Sequence, residues 1–78
     1  MAVELVLPRF GREMESGLLA EWYVPDGAPV GRGELVYRLE TDYVACDIEA
    51  EVEGVVRHGL PAGEDAAPGA AVGTIVEA

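Results

Sequence analysis

Apolar side chains recur at every second position along most of this 78-residue chain, and glycine or proline cuts the apolar stretches at short intervals. A period of two sends alternate side chains to opposite faces of a strand, whereas a helix needs a spacing of three to four. The clearest stretch is Val44 to Glu51, where Val44, Cys46, Ile48 and Ala50 share one face and Ala45, Asp47, Glu49 and Glu51 the other. Upstream, Leu35, Tyr37 and Leu39 alternate with Val36, Arg38 and Glu40, and near the start Val3, Leu5 and Leu7 alternate with Glu4 and Val6. Leu18 to Val24, Val55 to His58 and Val72 to Val76 are the further strands this pattern predicts. No window has an amphipathic period of 3.6, and 10 glycines and 5 prolines leave no room for a long helix. The expectation is an all-β chain.

Sliding the sequence by 36 positions lays VPDGAPVGRGELVYRLE over LPAGEDAAPGAAVGTIV, with Pro25 over Pro61, Gly27 over Gly63, Gly33 over Gly69 and Val36 over Val72. A one-residue adjustment also matches the GLL at Gly17 with the GVV at Gly54. Each half then reads as strand, Pro/Gly turn, Gly turn, strand. Neither half can bury its apolar face alone, so the two should pack as a flattened β-barrel or sandwich of two antiparallel sheets related by a pseudo-two-fold. The predicted organisation is one domain over 1–78, with half-repeats at about 3–41 and 44–77 joined by a turn at 41–43.

Charge narrows the range of partners. Fifteen acidic residues against five basic ones give a formal net charge of −10, which repels phosphate backbones and anionic membrane surfaces, so neither nucleic acid nor membrane is expected as a partner. The opening MAVELVLPRF has no basic start and no sustained apolar run, so no signal peptide or membrane span is predicted and a cytoplasmic location is the default. All five basic residues are arginines (Arg9, Arg12, Arg32, Arg38 and Arg57), and the chain contains no lysine.

Candidate chemistry is sparse. A lone Cys46 and a lone His58 allow no internal disulfide and no structural zinc site. Cys46 alternates with Val44 and Ile48, which predicts a buried, inert thiol; His58 has no acid or nucleophile at a useful spacing and reads as a surface residue at a strand end. Trp22 and Tyr23 read as packing residues. Asp47, Glu49 and Glu51 form a solvated strand face or, on a sharper reading, the footprint of a basic partner; parallel carboxylates on a strand make no metal cage. The glycines of GAPVGRG lie between strands with no helix after them, so they read as turns and not as a phosphate loop. With no acid–base or nucleophile–base pair, no metal site and no cofactor site, a binding or carrier module is expected and an enzyme is not.

Between the halves lies Glu40-Thr41-Asp42-Tyr43-Val44, a tight connection that should lift Tyr43 into solvent. At these residues the chain resembles a lipoyl domain of the biotinyl/lipoyl attachment family, over essentially its whole length from Glu4 to Glu77. LPRFGREMESG is similar to the first strand and loop of the lipoyl domains of 2-oxo acid dehydrogenase acyltransferase subunits. AEWYVPDGAPVGRGELVYRLETD carries that family's EW, G..V..G and ETD elements, and DIEAEVEGVV resembles the segment after the modified turn.

The resemblance implies the barrel-sandwich fold, and it implies that the residue after ETD is the lysine that receives lipoic acid in amide linkage. Position 43 is Tyr, and a phenol does not replace the primary amine that an amide-forming ligase needs. The resemblance also implies a recognition surface made by Arg9, Phe10 and Gly11 after the first strand and by Glu40, Thr41, Asp42 and Tyr43 in the turn. The function it leaves is a free-standing, non-catalytic binding or scaffold module. Its implied partner is a protein such as a thiamine-dependent dehydrogenase, an acyltransferase or another biosynthetic enzyme. The alternatives are an atypical carrier that holds a group on Tyr43, Cys46 or the terminal amine, and a lipoyl carrier whose lysine was lost or mutated.

Overall fold

The computed structural model describes residues 1–77. Among them eight strands form and no helix does: β1 (Ala2–Val6), β2 (Gly17–Trp22), β3 (Pro29–Val30), β4 (Leu35–Glu40), β5 (Ala45–Glu49), β6 (Gly54–His58), β7 (Glu64–Ala66) and β8 (Ala71–Val76). They make two four-stranded antiparallel sheets, in the orders β1-β8-β6-β3 and β5-β4-β2-β7. Exchanging β1 with β5, β2 with β6, β3 with β7 and β4 with β8 turns one sheet into the other.

The backbone hydrogen bonds repeat under the same exchange. Gly27 N donates to Val56 O at 2.7 Å and Gly63 N to Leu19 O at 2.8 Å; Gly33 N donates to Ala50 O and Gly69 N to Leu7 O, both at 2.8 Å. Among the described residues these four glycines are the ones with positive φ, between 84° and 92°, so the turns entering each sheet need a conformation that L side chains rarely adopt. The turn glycines thus pin the ends of four strands to the opposite half of the chain.

The sheets close on a core of Leu5, Leu7, Met14, Leu19, Val24, Val30, Val36, Tyr37, Leu39, Ala50, Val56, Val72 and Ile75. The alternation read along the first strand holds, with Leu5 and Leu7 buried and Glu4 and Val6 exposed. Along β4 it does not, because Val36 and Tyr37 are both fully buried while Leu35 is 43% exposed. A β-bulge between Leu35 and Tyr37, opposite Glu49 and Ile48, breaks the period of two. Strand β7 has no strand-like composition; Gly17, Leu18 and Leu19 of β2 recruit Ala66, Asp65 and Glu64 by main-chain pairing.

Candidate functional site

The hairpin joining β4 to β5 is closed by Glu40 opposite Ala45. Beyond that pair, Thr41 organises the tip. Its backbone N donates to Val44 O at 2.8 Å, while its Oγ1 accepts from Tyr43 N at 3.2 Å and Val44 N at 3.0 Å and donates to Val44 O at 3.3 Å. A threonine hydroxyl thereby satisfies the tip amides without any residue at positive φ. Tyr43 stands out from this frame with 83% of its surface exposed.

The β1–β2 loop folds against one side of the tip. Arg9 Nη1 donates to the carbonyls of Gly11, Arg12 and Met14, each at 3.1 Å, and Met14 Sδ accepts from Phe10 N at 3.3 Å. Met14 is buried, and a Cβ on Gly17 would meet Leu39 Cδ1 at 2.7 Å and Leu7 Cδ2 at 3.0 Å, so the missing side chain lets the loop close on the core. The guanidinium of Arg9 is therefore spent on the loop's own carbonyls. Phe10, 47% exposed, faces outward instead.

Two depressions flank the tip. One of about 250 Å³ is lined by Phe10, Gly11, Met14, Thr41, Tyr43 and Val44 among others, and is largely apolar. The other, of about 400 Å³, carries the carboxylates of Glu13, Glu15, Glu40, Asp42 and Asp65 and no basic side chain. The structure thus brings Phe10 and Gly11 together with Thr41 and Tyr43, and sets Glu40 and Asp42 on the acidic side. Neither Met14 nor Val44 is among the recognition residues that the resemblance implies: Val44 reads as part of the apolar pattern and the end of the turn, and Met14 only as part of the LPRFGREMESG stretch. Asp65 had no signal in the sequence, because β7 reaches this place solely by pairing with β2.

Other candidates fall away from the tip. On the outer face of the β2/β4/β5 sheet, Tyr23 Oη donates to Asp47 Oδ1 at 2.6 Å, and Arg38 bridges Glu40 at 3.0 Å and Asp47 at 3.5 Å. The carboxylate that accepts from Tyr23 holds its phenol above the usual range, since ionising the phenol would set two negative charges together. Cys46 is half-buried and not enclosed as expected, because β5 is the edge strand of its sheet.

His58 departs further from its expected place on the surface. Its ring stacks on Trp22 with centroids 3.9 Å apart, and its Nε2 lies 2.7 Å from Val24 O. A carbonyl only accepts, so Nε2 carries the proton. Trp22 Nε1 in turn donates to Leu60 O at 2.8 Å, the bond related to it by the 36-residue offset. Trp22 and His58 are equivalent residues of the two halves that meet face to face.

Among the described residues no cluster of metal-ligating side chains forms, and no helix is long and apolar enough to cross a membrane. An amide-linked prosthetic group does not fit this tip: the side chain it offers is a phenol, and with no lysine in the chain none of its neighbours supplies a primary amine.

Comparison with known proteins places this geometry. A family model described as Biotin-requiring enzyme (Biotin_lipoyl) matches residues 3–76. The chain is 30% identical over 78 residues, 99% of its length, to the dihydrolipoyllysine-residue succinyltransferase component of the 2-oxoglutarate dehydrogenase complex of Rickettsia felis. It is 38% identical over 56 residues, 72% of its length, to the corresponding component from Azotobacter vinelandii. It is 32% identical over 73 residues, 92% of its length, to the dihydrolipoyllysine-residue acetyltransferase component of the acetoin cleaving system of Bacillus subtilis. It spans 20%, 14% and 18% of these three relatives. Two four-stranded sheets, one of which carries the protruding β4–β5 hairpin, and a family match over nearly all of the sequence make this chain a member of the biotin/lipoyl family.

Proposed function

We propose that this chain is a lipoyl-like domain that carries no group on lysine and works as a docking module, with Tyr43 at the position where its relatives hold the lipoyl-lysine. The observation that carries this reading is the tip itself. Thr41 satisfies the amides of a hairpin tip that presents an exposed tyrosine, with an apolar depression on one side and an acidic one on the other. A partner with an apolar prong beside basic residues fits that surface. The relatives' names place them in 2-oxoglutarate dehydrogenase, pyruvate dehydrogenase and acetoin cleaving systems, so the proposed partner is an enzyme of such a complex.

Affinity purification of the tagged protein from its own cells tests this. Recovery of a thiamine-dependent dehydrogenase or an acyltransferase, lost on Tyr43→Ala or Phe10→Ala, is the expected result; recovery unaffected by either substitution removes the tip from the model. The exposed phenol favours one second reading, an atypical carrier with a group on Tyr43. Intact mass decides between them: the bare sequence mass is expected, and a discrete added mass on the Tyr43 peptide would establish the carrier. Tyr43→Lys with a lipoate ligase should give at least partial modification, because Glu40, Thr41 and Asp42 remain in place.

A further inference from the structure

Away from the tip, β1 and β5 are end strands of the two sheets, and a crevice of about 270 Å³ lies between them. Val3, Glu4, Leu5 and Val6 line one side, Ile48, Glu49, Glu51 and Val52 the other, with Tyr37 and Ile75 between. Consecutive residues of β1 take part, so the crevice runs along the strand's main-chain edge as well as its inward side chains. Tyr37 is fully buried and its hydroxyl makes no hydrogen bond within the protein. Neither Val36 nor Arg38 touches the crevice, so Tyr37 reaches it through its side chain. The repeat has Gly73 at the equivalent place in β8, so this phenol belongs to one half only.

A buried hydroxyl without a partner costs about 1–3 kcal/mol, which a phenylalanine would avoid. The two edges also differ. Strand β5 carries Asp47 and Glu49, charges that discourage strand pairing, whereas β1 reads Ala-Val-Glu-Leu-Val with Val6 exposed. The charged residues lining the crevice, Glu4, Glu49 and Glu51, are all acidic.

We propose that the free edge of β1 is a site for an extended peptide strand with basic residues on its outer face, whose inward side chains enter the crevice and bring a hydrogen-bonding group to Tyr37. Main-chain pairing would supply affinity, the aliphatic walls would select small branched side chains, and the three glutamates would select positive charge. The same glutamates set a second copy of this chain against itself. The proposal does not depend on the reading of the tip.

The probe is the synthetic peptide acetyl-Lys-Val-Lys-Thr-Lys-Val-Lys-amide, titrated into the whole protein. Amide NMR shifts and the fluorescence of the single tryptophan report on it, since the Trp22 and Tyr37 rings lie 5.5 Å apart. Saturable shifts along β1 and Ile48–Val52 are expected, weakened by salt and by Glu4→Lys, and absent with the Glu-for-Lys peptide. Tyr37→Phe should weaken the threonine peptide about three- to tenfold and leave a peptide with valine at that position unchanged. Shifts confined to the tip or to β7, equal binding of the acidic peptide, an equal effect of Tyr37→Phe on both basic peptides, self-association in place of binding, or no binding would each overturn the proposal.

Discussion

Thr41 does at one position what a glycine does in many hairpins. Its hydroxyl accepts two amides and returns one bond to Val44 O, so the tip's polar groups are satisfied with ordinary backbone angles. Thr41→Val keeps the shape and removes those bonds; a loss of about 1 kcal/mol in urea unfolding is expected, with faster amide exchange at Tyr43 and Val44. Tyr37 shows the reverse case, a polar group without a partner. Burial pushes its phenol from 10.0 up to about 12. The neutral form is thus favoured in the folded state, so the contribution is fully present below pH 10 and is lost as pH rises through about 12. Alkaline titration of stability should fall across that window, and Tyr37→Phe should flatten the fall.

At the scale of elements, the turns hold the strands in register. Gly27 and Gly63 each enter a turn at positive φ and each donate to a different strand, Val56 of β6 and Leu19 of β2. A Cβ at Gly63 would meet nothing within 4 Å and one at Gly27 would meet only Arg57 Nη1 at 3.3 Å, so alanine there tests backbone conformation almost alone. Each Gly→Ala should destabilise by about 1–2 kcal/mol, and the two effects should add to within about 0.5 kcal/mol. Gly54 differs, because its Cβ would run into the carbonyl of Val76 on β8. Gly54→Ala should therefore exceed either turn substitution in the same thermal unfolding series.

Across the whole molecule, the two halves are joined by an exchange. The Trp22 and His58 rings stack, and each ring's N–H ends on a carbonyl of the other half, Leu60 and Val24. A double-mutant cycle of Trp22→Phe and His58→Phe should return a coupling of about 1 kcal/mol, measured by chemical denaturation. A net charge of −10 on a chain this small also means self-repulsion, so added salt should raise the melting temperature in calorimetry.

Period-two patterning in the segments around Leu5, Leu19, Leu39, Ile48, Val56 and Ile75 was enough to identify most of the strands, since alternation is a local property of the chain. The 36-residue offset was equally legible: the glycines it paired, Gly27 with Gly63 and Gly33 with Gly69, are the four at positive φ among the described residues. Steric limits on φ act within one residue, so composition exposes them. Of the tip, Tyr43 and its turn could be read directly from the sequence. Tertiary structure decided the rest. The bulge in β4 arises from register against β5, and β7 exists only because β2 offers it an edge. Asp65 joins the acidic depression and His58 stacks on Trp22 through contacts between residues far apart in sequence. Local propensity specifies how a segment can lie; only packing determines which distant segment completes its hydrogen bonds and covers its apolar face.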